Sequence, residues 1–196
     1  MSDPLRAHTV NEARYYLAVT PCDRCGGGPW VLIGREAPPR GGAAARLEAR
    51  CRQCQAETSF DFLCEHPVPD RGPEAECVNP TPAPSHIIDL GQWLSLFYLL
   101  IESAASEPTA AGARRASYQA ALCLGEALKF YADDELPPLS AFFAPRSVEA
   151  FREHPERFAR QALRDMQAKL PALPRLARRV ARDEKAGTRW WRVWRR

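Results

Sequence analysis

Long apolar runs are missing from this 196-residue chain. The most hydrophobic stretch, His86–Ile101, is interrupted by Asp89 and Gln92, and its uncharged part falls short of the ~20 residues a membrane span needs. A buried core helix is the expectation there. Met1-Ser2-Asp3-Pro4 has neither the basic nor the apolar region of a signal peptide, so a cytoplasmic protein is expected. The usual signs of catalysis are also scarce. His8, His66, His86 and His154 are spread over an N-terminal lead-in, a linker and two helix starts. There is no His-Glu-x-x-His pattern, no phosphate-cradling glycine loop between a strand and a helix, and no nucleophile in a recognisable motif. A non-enzymatic role is expected.

What is plentiful is proline, with 18 residues, and basic charge at one end. The net charge of +3 is an average over unlike parts. From Pro171 to Arg196 there are nine basic residues against Asp183 and Glu184, so the remaining body is mildly acidic.

Seven cysteines complete the inventory, and four of them fall in two Cys-x-x-Cys pairs, Cys22/Cys25 and Cys51/Cys54. In a reducing compartment such pairs are read as metal ligands before disulfides. The residues around them follow a regular order. Arg14–Thr20 is rich in strand-forming residues, Gly26-Gly27-Gly28 leaves the first pair, Trp30–Ile33 forms a second strand and Pro38–Gly42 a turn. Arg46–Arg50 alternates charged and apolar residues into Cys51, and Thr58–Phe62 returns. The reading is strand, knuckle, hairpin, knuckle, strand.

This arrangement resembles the zinc-ribbon class over about Arg14–Leu63, in which two knuckles on antiparallel strands clamp one zinc ion. Cys25-Gly26 matches the usual knuckle glycine; Gln55 after Cys54 and the 25-residue separation of the pairs depart from it. The resemblance implies one structural Zn²⁺ on Cys22, Cys25, Cys51 and Cys54, with a dithiol redox pair as the alternative. About 50 residues of sheet bury too little apolar surface for reliable stability, whereas a structural zinc contributes about 10–16 kcal/mol of apparent binding energy. Arg24 and Arg52, one inside each knuckle, are placed to offset the thiolate charge or simply to be solvated.

Pro67, Pro69, Pro73, Pro80, Pro82 and Pro84 then mark an extended linker. Cys64, Glu65, His66 and Cys77 lie in it without the spacing of a standard second site. Beyond it the period becomes helical. Asp89 and Gln92 have capping-box spacing, with Ile88 and Trp93 as the staple, so a helix begins at Leu90 and runs to about Ser106. Its apolar face is Leu90, Trp93, Leu94, Phe97, Leu100, Ile101 and Ala104, widened by Leu96 and Leu99. A second helix over about Ala110–Ala132 puts Ala116, Ala120, Cys123, Leu124, Ala127, Leu128 and Tyr131 on one face, which makes Cys123 a core residue. A short helix is expected over Ser147–Glu153, another from Pro155 to Leu170, and a basic one over Pro174–Lys185. Asp89–Leu94, Cys123–Tyr131 and Phe151–Glu156 resemble strings in uncharacterised bacterial proteins that join a ribbon to a helical domain, a likeness that implies no function.

The expected class is therefore α+β, a small antiparallel zinc-ribbon sheet followed by a mainly α-helical bundle. The expected divisions are 1–13 lead-in, 14–64 ribbon, 65–85 linker, 86–186 bundle and 187–196 tail. That tail holds Arg189, Trp190, Trp191, Arg192, Trp194, Arg195 and Arg196. Such residues anchor protein interfaces, contact phosphates and stack on bases, attach to membrane surfaces, or fold back on their own domain. The functional expectation is an adaptor or accessory subunit that binds another protein. The rival is a nucleic-acid-binding accessory protein using Arg24, Arg46, Arg50, Arg52 and the tail.

Overall fold

The computed structural model of the chain describes residues 3–36, 44–69, 73–171 and 175–183. It divides into two compact units, Met1–Asp89 and Leu90–Arg196, and the fold is α+β. The expected tail residues Arg189–Arg196 lie outside the described residues.

The first unit contains β1 (Leu5–Ala7), α1 (Val10–Val19), β2 (Trp30–Glu36), β3 (Ala44–Cys51) and β4 (Glu57–Cys64). Its four strands are ordered β1-β4-β3-β2. The β2–β3 and β3–β4 pairs are antiparallel, but β1 runs parallel to β4, with Leu5 opposite Phe62 and Ala7 opposite Cys64. The sheet is therefore mixed, and the antiparallel expectation is corrected by one strand. Residues 1–13 had shown no period because β1 is only three residues long, too short to display alternation.

Arg14–Thr20, expected as a strand, forms most of α1. The local preference of Tyr15, Tyr16 and Val19 for extended chain gives way to helical signals on either side of it. Thr9 is the N-cap, its side chain accepting from the Glu12 backbone N–H, while the Glu12 carboxylate accepts from the backbone N–H of His8. Thr9-Val10-Asn11-Glu12 is thus a capping-box sequence in the chain itself. Val10, Ala13 and Leu17, all buried, give the helix its core face. Tyr16 meets Phe60 and Phe62 of β4 edge-on, with ring centroids 6.3 and 5.8 Å apart. Strand β3 alternates as its sequence requires, with Ala45, Leu47, Ala49 and Cys51 buried and the residues between them exposed.

Residues 75–85, read from their prolines as linker, fold back onto this unit, and residues 86–88, expected at the head of the helical bundle, belong to it as well. Thr9 Oγ1 donates to the Val78 carbonyl at 2.6 Å, and Asn11 Nδ2 donates to the carbonyls of Ala75 and Cys77 at 2.8 and 3.0 Å. Val78 and Ile88 are buried. Proline enforces extended chain, but it does not prevent that chain from packing.

The second unit contains α2 (Leu90–Ser106), α3 (Ala110–Leu128), α4 (Pro145–Glu153), α5 (Arg160–Lys169) and a further helix, α6, over residues 175–183. Helices α2 and α3 form a hairpin whose core holds Leu90, Trp93, Leu94, Leu96 and Phe97 against Ala116, Ala120, Cys123, Leu124 and Ala127. Leu99, expected to widen the buried face of α2, is 60% exposed. The helix expected from Pro155 to Leu170 is split, with a single 3-10 turn over Pro155–Phe158 before α5. Tyr131 Oη donates to the Phe158 carbonyl at 2.6 Å, and the Phe142, Phe151 and Phe158 rings cluster there, which hold that turn in place. Leu176 and Val180 of α6 pack on Tyr118 and Ala121 of α3, and Arg114 Nε donates to Asp183 at 2.8 Å.

Among the described residues, no helix is long and apolar enough to cross a membrane.

Candidate metal centre

Two loops of the first unit are built alike. In the first, Gly26 N–H donates to the Cys22 carbonyl at 2.8 Å and Cys22 N–H donates to Gly27 at 2.6 Å. In the second, Gln55 N–H donates to Cys51 at 2.9 Å and Cys51 N–H donates to Ala56 at 2.8 Å. The residue after the second cysteine of each pair has a left-handed backbone, with φ of 69° at Gly26 and 61° at Gln55. This is the conformation that turns the chain sharply enough to aim both sulfurs of a pair inward. Arg52 N–H also donates to the Pro29 carbonyl at 3.0 Å, tying the second loop to the chain leaving the first.

The four sulfurs of Cys22, Cys25, Cys51 and Cys54 lie within 4.8 Å of one another. Across the loops, Cys22 Sγ is 3.7 Å from Cys54 Sγ, and Cys25 Sγ is 3.8 Å from Cys51 Sγ. A disulfide would need about 2.05 Å, so neither contact is one. An ion about 2.3 Å from each of four tetrahedral sulfurs sets neighbouring sulfurs about 3.8 Å apart, which is the spacing of these two cross-loop pairs. The cluster therefore has the donor set and the dimensions for one metal ion. Cys22 and Cys51 are buried, Cys54 is half-buried and Cys25 is exposed, so the centre sits at the edge of the unit.

Without an ion, Cys25 and Cys51 shift in opposite directions. A backbone hydrogen bond from Cys54 outweighs desolvation at Cys51; together with those from Gln53 and the neighbouring thiols of Cys54 and Cys22, it lowers Cys51 to about 7. At Cys25 the Gly27 backbone hydrogen bond acts in the lowering direction, but desolvation and the other three sulfurs carry the group up to about 12. Burial and its sulfur neighbours thus oppose loss of the Cys25 proton, the condition a bound dication relieves.

The remaining sequence candidates are placed as follows. Arg24 and Arg52 are exposed within their loops. Arg46 donates to Ser59 at 2.9 Å and lies 3.8 Å from Asp61, while Arg50 is paired with Glu57 at 2.6 Å. Cys123 is fully buried, and that burial raises its pKa well above the usual thiol range, as a core residue requires. Glu135, which follows Asp133 and Asp134 after α3, accepts from the backbone N–H of Gln161 at 2.9 Å, supporting the start of α5.

Sequence reading missed one convergence. His8, Glu65 and His66 come together, each with a ligand atom within 4.8 Å of the others, although they had been assigned to a lead-in and a linker. The only local sign of it was the capping box at Thr9, which orders the chain immediately after His8.

Comparison of the chain with protein-family models, with curated proteins and with solved structures gives no match.

Proposed function

We propose that this chain is a non-enzymatic, zinc-binding adaptor or accessory subunit, with one zinc ion on Cys22, Cys25, Cys51 and Cys54 in the manner of a zinc ribbon, and that it acts by binding another protein. The observation that carries the zinc reading is the clustering of four sulfurs within 4.8 Å of one another on two matching loops. Four thiolates fill the coordination sphere, so this ion activates no water and serves to hold the sheet together. A dithiol redox role is disfavoured because neither pair stands apart as a dithiol: all four sulfurs lie within 4.8 Å of one another as one donor set.

Two features support a protein partner over nucleic acid. Arg46 and Arg50, two of the four ribbon arginines expected to meet phosphates, are engaged by Asp61, Ser59 and Glu57 on the sheet surface. Strand β2 is the outermost strand of the described sheet and leaves Val31, Leu32 and Ile33 exposed in a row. An apolar outer strand is suited to pairing with an extended segment of another chain.

Metal analysis of anaerobically purified protein, with cobalt(II) as a spectroscopic substitute, tests the zinc reading. A thiolate-to-cobalt absorption lost in Cys51→Ser is expected; a wild-type chain with no thiolate-bound ion overturns it. For the partner, no oligonucleotide binding at low salt is expected. Strong binding that weakens steeply with salt would move the assignment to nucleic acid.

A further inference from the structure

The parallel pairing of β1 with β4 continues past the strand ends. Glu65 N–H donates to the Ala7 carbonyl at 2.9 Å, and His66 N–H donates to the His8 carbonyl at 2.8 Å. These bonds bring His8, Glu65 and His66 side by side at the end of β4 remote from Cys51–Cys54. The eight residues of β4 separate the two places by roughly 25 Å at about 3.3 Å per residue.

His8 is 5% exposed. Its Nε2 is 3.3 Å from the Pro84 carbonyl, which can only accept, so Nε2 carries the hydrogen. In the neutral ring Nδ1 then presents a lone pair. Nδ1 lies 3.3 Å from Glu65 Oε2, itself an acceptor, and it is a buried atom without a hydrogen-bond partner. Two acceptors facing each other this closely repel unless a cation lies between them. The His66 ring stacks 6.4 Å from that of His8 at an interplanar angle of 17°, and the His86 ring stands 5.7 Å from it.

We propose that His8, Glu65 and His66 form a second metal centre, for a divalent first-row transition ion such as zinc or iron(II). Two imidazoles and one carboxylate are a donor set of intermediate hardness, preferred by these ions over magnesium or calcium. The 3.3 Å between His8 Nδ1 and Glu65 Oε2 equals the separation of two ligands about 2.0–2.1 Å from one tetrahedral ion. The bond from the far ring nitrogen to a backbone carbonyl is the support that fixes the tautomer of a ligating histidine. Three protein ligands leave at least one coordination position open, in contrast to the closed four-cysteine centre. Glu65 is exposed and His66 half-buried, so that position faces solvent.

The test is a zinc titration, repeated anaerobically with iron(II), of the full chain stripped of metal. Two zinc equivalents are expected. Glu65→Gln and His66→Ala, which leave all four cysteines in place, should weaken the second at least tenfold and spare the first. In the wild-type chain the second equivalent should shift the ring signals of His8 and His66 in the NMR spectrum and leave those of His154 unmoved. Saturation at one equivalent, or a second equivalent indifferent to both substitutions and silent at the His8 ring, overturns the proposal. Loss of the first equivalent alone would count against the four-cysteine reading and not against this one.

Discussion

Gln55 occupies a backbone region that glycine enters freely and a side chain enters at a cost of roughly 1–2 kcal/mol. The equivalent place in the first loop is Gly26, so one loop meets the required turn with the residue suited to it and the other tolerates strain. Part of the cost is offset by Gln55 Nε2 donating to the Arg52 carbonyl at 2.9 Å. Gln55→Gly should therefore stabilise the metal-loaded protein by about 0.5–1 kcal/mol, after the added freedom of glycine in the unfolded chain, as measured by the urea midpoint. The departure from the zinc-ribbon pattern at Gln55 was visible in the sequence, and its consequence is local. His8 is the opposite case. Nothing about a histidine in an unpatterned N-terminus connects it to Glu65 and His66, because their meeting depends on a strand pairing between residues more than fifty positions apart.

Helix α1 shows two local signals in conflict. Tyr15, Tyr16 and Val19 favour extended chain, while the Thr9–Glu12 capping box and the buried spacing of Val10, Ala13 and Leu17 favour helix; packing against Phe60 and Phe62 decides for the helix. In the second unit the decisive contact is the approach of α4 to α2. A Cβ built on Gly91 would stand 2.6 Å from Ser147 Oγ and 2.7 Å from Ser147 Cβ, whereas one on Gly125, within α3, meets nothing within 4 Å. Gly91→Ala should therefore destabilise the protein by about 1–3 kcal/mol through overpacking. Gly125→Ala should stabilise it by up to about 1 kcal/mol through helix propensity alone. Opposite shifts in thermal midpoint are the expected result, and equal shifts would refute the tight α2–α4 approach.

At the scale of the whole molecule, both units have apolar cores, and one adds a thiol cluster. In Met1–Asp89, Leu17, Leu47, Phe62 and Ile88 are buried beside four cysteines placed to hold a metal ion. In Leu90–Arg196 the core is apolar, with Trp93, Leu124 and Leu163 fully buried, side chains worth about 1.5–3 kcal/mol each. Removal of metal by a strong chelator should unfold the first unit and leave most of the helical circular-dichroism signal in place, because α2 to α5 lie in the second. Complete loss of that signal would show that the two units unfold as one cooperative body.

The helical unit was legible from sequence because its signals are local: the start of α2 at Leu90, its end at Ser106, and the buried stripe from Ala116 to Ala127 all follow from caps and a 3.6-residue period. The four cysteines were legible for a related reason. Two Cys-x-x-Cys loops bring their own geometry, and only their approach to one another is left to the fold. Tertiary structure alone decided the parallel place of β1 beside β4, the return of residues 75–88 onto the N-terminal unit, and the meeting of His8 with Glu65 and His66. Each depends on contacts between distant parts of the chain, and in such contacts neither partner's sequence carries a mark of the other.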